Sequence, residues 1–315
     1  MTHIEPVNLV IGMILFSQIT VGVMGNFFLL YHYIFIYHTK SKLRCIDLIL
    51  KHILIANSLF ILSKGLPQTM VAFGLKNSLS DFVCKFFFYV ERVGRGVSIG
   101  TICLLSIFQR ITISPMNSCW KDLKIKAPKC IGFSIYLCWF VHMVVNFIFP
   151  LYLLYMSGRW SSRNITKERK IIFCTYTDPG TILGSIYIAL VVFPEVACSV
   201  LMICASSSMV FNLYQHKKKV QHIHRTNVFS RSPESRATKS ILFLVGTFVS
   251  FYSLSSLFNI SIALFPEVYR RLVSISEIIS VCFPTMSPFL LMSQDSSILR
   301  PCFVMLRNAL PTYKK

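Results

Sequence analysis

Hydrophobic positions in this chain come in long runs separated by short polar gaps. Seven runs stand out, over residues 9–37, 48–73, 83–111, 130–155, 181–214, 240–265 and 271–293. Each exceeds the roughly 20 residues a helix needs to cross hydrocarbon. Inside hydrocarbon every backbone N–H and C=O must be paired within the segment, which selects helices. The pattern predicts an all-α membrane protein, a bundle of seven transmembrane helices over 9–293. A short segment, 1–8, precedes the bundle and a tail, 294–315, follows it. Pro67, Pro150, Pro194, Pro284 and Pro288 fall inside the runs. They predict kinks, because proline removes an N–H and crowds the preceding turn.

The gaps set the direction. Gaps 38–47, 112–129 and 215–239, with the tail, hold eighteen Lys and Arg, whereas the alternate gaps with segment 1–8 hold eight. Basic loops stay cytoplasmic. The expectation is a multi-pass plasma-membrane protein with its N-terminus extracellular and its C-terminus cytoplasmic. The opening "MTHIEPVNLV" lacks a basic n-region and a small-residue cleavage site, so the first run reads as an uncleaved anchor. Asn164-Ile165-Thr166 is a glycosylation sequon in gap 156–180, on the side expected to be outside. Cys174 lies in the same gap, and Cys84 opens the third run at the same surface. Both would face an oxidising compartment. A bridge between them would pin the long loop over the third helix; two free thiols are the other reading.

Composition agrees. Of 315 residues, 54% are hydrophobic and 14% charged, against about 25% charged in an ordinary soluble domain. The net charge of +20 invites a nucleic-acid reading. Its confinement to alternate gaps is what membrane topology produces, so lipid is expected as a partner and nucleic acid is not. Most of the eleven cysteines lie inside runs, where they act as small hydrophobes. No C-x-x-C pair occurs, and no metal or cofactor is expected. There is no Gly-x-Ser-x-Gly, no His-Glu-x-x-His and no P-loop, and no enzymatic activity is expected. The lack of an internal repeat weakens a transporter reading.

The third run contains a puzzle. In "CKFFFYVERVGRGVSIG" (84–100), Glu91, Arg92 and Arg95 interrupt the apolar pattern, at about 2.5–3.5 kcal/mol for each charge in hydrocarbon. Glu91 lies seven residues beyond Cys84, about 10 Å in at ~1.5 Å per residue. Glu91, Arg95 and Ser98 recur at i, i+4 and i+7, on one helical face. They read either as a polar anchor in a mostly apolar pocket or as a self-neutralising pair that fixes packing. Glu195, after Pro194 in the fifth run, carries the same two readings: ligand contact, or a structural hydrogen bond. Gly96 and Gly100 form a small-x-x-x-small step that allows close helix packing.

An outside N-terminus, seven helices, a cysteine opening the third and another in the second outer loop resemble a G-protein-coupled receptor. Longer stretches narrow the resemblance: "SKGLPQTMVAFG" (63–74), "CKFFFYVERVGRGVSIGTICLLSIFQRITISP" (84–115), "WKDLKIKAPK" (120–129), "VQHIHRTN" (220–227), "SPESRATKSILFLV" (232–245) and "CFPTMSPFLLMS" (282–293). On these the chain resembles the vomeronasal type-1 receptor family, the pheromone receptors. The resemblance implies a chemoreceptor for small, weakly polar organic ligands that signals through a heterotrimeric G protein of inhibitory class. A chemoreceptor for another stimulus, such as bitter compounds, is the nearer alternative; a transporter or channel is the farther one.

Departures from the wider receptor class are shared with that family. Phe108-Gln109-Arg110 stands where Asp-Arg-Tyr is usual, Asn57 where helix two usually carries Asp, and Phe283-Pro284-Thr285-Met286-Ser287 where Asn-Pro-x-x-Tyr is usual. Glu91 departs locally, since many family members resemble one another in having His there. The resemblance makes Glu91, Arg95, Ser98 and Glu195 candidate ligand contacts. It makes Gln109, Arg110, Lys217, Lys218 and Lys219 candidates to face the G protein. The segment "HKKKVQHIHR" (216–225) reads as a basic inner loop, with topology, anionic lipid and G-protein contact all able to explain its charge. Its His222 and His224 read as solvated rather than metal-binding.

Overall fold

The computed structural model describes residues 6–39, 45–74, 81–113, 121–160, 168–171, 174–177, 181–223, 242–255, 257 and 269–294. Among these residues are seven helices: α1 (Pro6–Thr39), α2 (Cys45–Ala72), α3 (Asp81–Ile113), α4 (Lys121–Trp160), α5 (Thr181–Ile223), α6 (Leu242–Ser255) and α7 (Tyr269–Gln294). All except α6 are long and apolar enough to cross a membrane. Each coincides with one expected run. The segments 1–8 and 294–315 lie largely outside the described residues.

The helices overrun the runs at their polar ends. α4 begins at Lys121, nine residues before its apolar run, and α5 continues to Ile223. At 43 residues and ~1.5 Å per residue, α5 is about twice the ~30 Å of hydrocarbon. Between Glu195 and Ile223 there is no glycine or proline to stop it. Lys217, Lys218, Lys219 and His222 are therefore helical, not part of a loop as the charge pattern suggested. α2 ends where stop signals exist. Phe73 N–H closes on the Thr69 carbonyl at 3.1 Å, and Gly74 takes φ 85°, a left-handed turn that costs glycine little.

One element has no counterpart in the hydropathy pattern. Strands β1 (Glu168–Ile171) and β2 (Cys174–Thr177) pair antiparallel, with Ile171 opposite Cys174 and Glu168 opposite Thr177. β2 packs against α3 and α4.

α3 is the hub of the bundle, packed against α2, α4 and α5, while α1 lies on α2 and α7. The largest apolar cluster among the described residues buries Leu29, Ile53, Ile102, Ile135, Met202, Leu244 and Phe283 together. Polarity runs opposite to that of a water-soluble domain. Large apolar side chains face outward, among them Phe16, Met24, Tyr31, Phe133, Phe140, Phe193 and Phe211. Contiguous apolar surface on this scale suits lipid, not water. Inside sit Asn26, Asn57, Ser98, Thr101, Ser106 and Ser287. Many hydroxyls there are satisfied within their own helix: Thr101 donates to the Val97 carbonyl at 2.6 Å and Ser106 to that of Ile102 at 2.9 Å.

Gly96 and Gly100 act as expected. A Cβ on Gly96 would overlap the His142 imidazole, and one on Gly100 would overlap the Cys138 sulfur. Their bare backbone lets α4 close against α3.

Candidate functional site

Among the described residues, two charged clusters lie inside the bundle, and each includes a residue of α3. In the first, Lys64 on α2 reaches Glu91 on α3 at 3.0 Å and Glu277 on α7 at 2.8 Å. The three side chains are 12%, 19% and 17% exposed, so one ammonium is shared by two largely buried carboxylates. In the second, Arg95 Nε lies 3.4 Å from Glu195 Oε1 on α5. The Arg95 guanidinium also lies over the Tyr252 ring of α6, 4.7 Å from its centroid. The Tyr252 hydroxyl donates to Glu195 Oε2. Glu91 and Arg95 therefore do not form the self-neutralising pair that their spacing allowed. Four residues apart, they share a broad face but sit one turn apart along the axis and meet different partners, so each ties α3 to a different pair of helices.

A small cavity of about 40 Å³, open on one side, lies between α2, α3, α6 and α7. Phe60, Phe248, Phe251 and Phe283 supply apolar walls; Arg95, Ser98, Asn57 and Tyr252 supply the polar positions. Arg95 and Ser98 thus reach the same cavity. Glu91 does not line it and Glu195 lines a different crevice, between α3, α4 and α5.

From the cavity wall a polar thread crosses the core. Ser98 Oγ donates to Asn57 Oδ1 at 2.7 Å, and Asn57 Nδ2 donates to Ser287 Oγ at 2.8 Å. The Pro284 carbonyl accepts from Asn26 Nδ2 at 3.0 Å and from Ser287 Oγ at 3.3 Å. The reason lies in the sequence: Pro288, four residues on, has no N–H to offer that carbonyl. Asn26 supplies the donor from α1, and the proline pair of α7 becomes an attachment point for its neighbours.

Towards the other end of α3, Arg110 Nε donates to Ser208 Oγ of α5 at 2.5 Å, and Gln109 is buried. Lys218 is exposed on the extension of α5, while the Lys217 and Lys219 side chains lie outside the described set. Cys84 is buried and disulfide-bonded. Cys174 begins β2, but its side chain lies outside the described set, as does Asn164 altogether.

Lys64, Glu277 and Tyr252 were not singled out from the sequence. Lys64 and Glu277 did carry a signal, each being a charge inside an otherwise apolar run. Tyr252 carried none, because its role depends on how α6 is turned.

Seven helices, apolar towards lipid and polar within, with an internal cavity flanked by ion pairs, define a multi-pass membrane protein of receptor type. The sequence profile of the vomeronasal organ pheromone receptor family matches residues 9–304. Vomeronasal type-1 receptor 4 of Homo sapiens is 52% identical over 294 residues, covering 93% of this chain and 96% of that protein. Vomeronasal type-1 receptor 3 of Homo sapiens is 52% identical over 292 residues, covering 92% of each. Olfactory receptor class A-like protein 1 of Danio rerio is 25% identical over 294 residues, covering 91% and 90%. The chain belongs to the vomeronasal type-1 receptor family, a G-protein-coupled type of chemoreceptor in the plasma membrane.

Proposed function

We propose that this receptor binds small, weakly polar organic pheromones in the cavity beside Arg95 and Ser98 and signals through a heterotrimeric G protein of inhibitory class. One observation carries the reading: the cavity wall is mostly apolar, and its guanidinium is already matched by Glu195 and Tyr252. Such a site favours a ligand without net charge, because a charged one would displace an existing partner. A ligand that reaches Arg95 or Tyr252 meets the contact joining α3 to α5 and α6. Preferring one arrangement of that contact, it shifts the population towards it. Helices α3 and α5 meet again at Arg110 and Ser208, fifteen residues or about 22 Å along α3. Movement at one end is thereby offered to the other, where Gln109, Arg110 and Lys217–Lys219 would meet the G protein. The N-terminus is extracellular in this reading, with Asn164 glycosylated and Cys84 bridged to Cys174.

Cells expressing the receptor with a promiscuous G protein should respond to volatile, weakly polar compounds. Glu195→Gln should shift potency about tenfold or more among the receptors that reach the surface, on the scale of one charge-assisted hydrogen bond. Responses confined to bitter compounds would move the stimulus class. Ion flux through reconstituted bilayers without G protein would replace the receptor reading by a channel. Orientation is tested separately: glycosidase should sharpen the gel band, and Asn164→Gln should abolish that change. A band indifferent to both removes the glycosylation and its support for an outside loop.

A further inference from the structure

The crevice between α3, α4 and α5 is distinct from the cavity just described; it has a volume of about 20 Å³ and an open side, room for a single polar head group with the rest of a molecule lying outside it. Arg92 reaches it from α3, Asn146 from α4, and Leu190, Pro194 and Glu195 from α5. Asn146 is 4% exposed; its Nδ2 donates to the His142 carbonyl at 2.7 Å, but its Oδ1 has no partner among the described residues. A buried acceptor left empty costs about 1–3 kcal/mol. A second acceptor stands nearby. Pro194 has no N–H, so the Leu190 carbonyl one turn earlier loses its helical partner. The rim is apolar and outward-facing, with Val141 and Leu190 both more than 40% exposed.

We propose that this crevice is a second ligand site, entered from the bilayer, for a neutral hydroxyl-bearing amphiphile: a lipid-soluble alcohol or a sterol. A hydroxyl donates to Asn146 Oδ1 or the Leu190 carbonyl and accepts from the Arg92 guanidinium, while its hydrocarbon lies along Val141 and Val145. The walls select against the alternatives. A carboxylate meets Glu195, an ammonium meets Arg92, and a hydrocarbon leaves the amide oxygen unpaired. Glu195 joins the two sites, since the carboxylate that pairs with Arg95 also lines this crevice. Occupancy of one site therefore changes the surroundings of the other. The inference does not depend on which ligand or G protein the receptor uses.

The test is photolabelling of the full-length receptor in lipid nanodiscs with octanol carrying a diazirine, adducts being mapped by mass spectrometry. Adducts should concentrate on 141–146 of α4 and 190–195 of α5. Asn146→Leu should lower them about fivefold, the effect of one lost hydrogen bond. Val145→Phe, which fills the crevice and leaves the polar groups intact, should lower them as well and serves if Asn146→Leu does not fold. Protection by excess unlabelled octanol assigns the site to small alcohols; protection by added cholesterol assigns it to a membrane sterol. Protection by neither overturns the proposal. So does labelling spread evenly over the outward faces of α1 and α4 and unchanged in the variants.

Discussion

At Lys64 a single ammonium faces two carboxylates, so removing the base and removing either acid are different experiments. Lys64→Ala leaves Glu91 and Glu277 without the ammonium that sits between them, and uncovering a buried charge costs about 3–5 kcal/mol. Glu91→Gln leaves the Lys64–Glu277 pair intact and should cost nearer ~1 kcal/mol. Thermal melting of the purified receptor should rank Lys64→Ala well below Glu91→Gln, with Lys64→Arg between Glu91→Gln and the parent. Equal losses for Lys64→Ala and Glu91→Gln would mean that the ammonium is not shared. The charges themselves were legible, since Glu91, Arg95 and Glu195 interrupt apolar runs. Their partners were not. Spacing on α3 shows that Glu91 and Arg95 share a broad face, but the choice of partner depends on how α2, α5, α6 and α7 are rotated against it. No local pattern encodes that rotation.

At the scale of the helix, the same residue type has opposite consequences in two places. Gly100 lies against Cys138, whereas a Cβ on Gly246 of α6 meets nothing within 4 Å among the described residues. Gly100→Ala should destabilise by about 1–3 kcal/mol through overpacking, and Cys138→Ala in the same chain should restore most of the loss. Gly246→Ala should be neutral or stabilising by up to about 1 kcal/mol, the helix-propensity gain. Additive losses for Gly100→Ala and Cys138→Ala would show that the two helices do not meet there. The packing step was visible as Gly96-x-x-x-Gly100, but its partner on α4 was not. Helix cores were equally plain, while ends were misjudged wherever the reading assumed that a helix stops at the membrane edge. α5 runs on through the lysines because nothing in its sequence breaks it. The strand pair Glu168–Ile171 and Cys174–Thr177 escaped notice because four-residue strands in a polar gap give too short a pattern.

Across the whole molecule the class was legible and the cavity was not. Run length and alternating basic gaps suffice for a seven-helix membrane bundle. A cavity is a gap left where several helices fail to touch, and it exists only after assembly. Assembly itself is constrained by the two charged clusters described above. As the chain is made, α3 follows α2 directly, so Lys64 and Glu91 can neutralise one another within a single helical hairpin. Arg95 waits one hundred residues for Glu195. A chain truncated after α4 should therefore integrate α3 incompletely, and Arg95→Leu should correct the defect, as read by glycosylation-site mapping of truncated nascent chains. Equal integration with and without the substitution would remove the constraint. If it holds, the early biogenesis of this receptor contains a stage at which one cation is left without its carboxylate, and the arrival of α5 ends it.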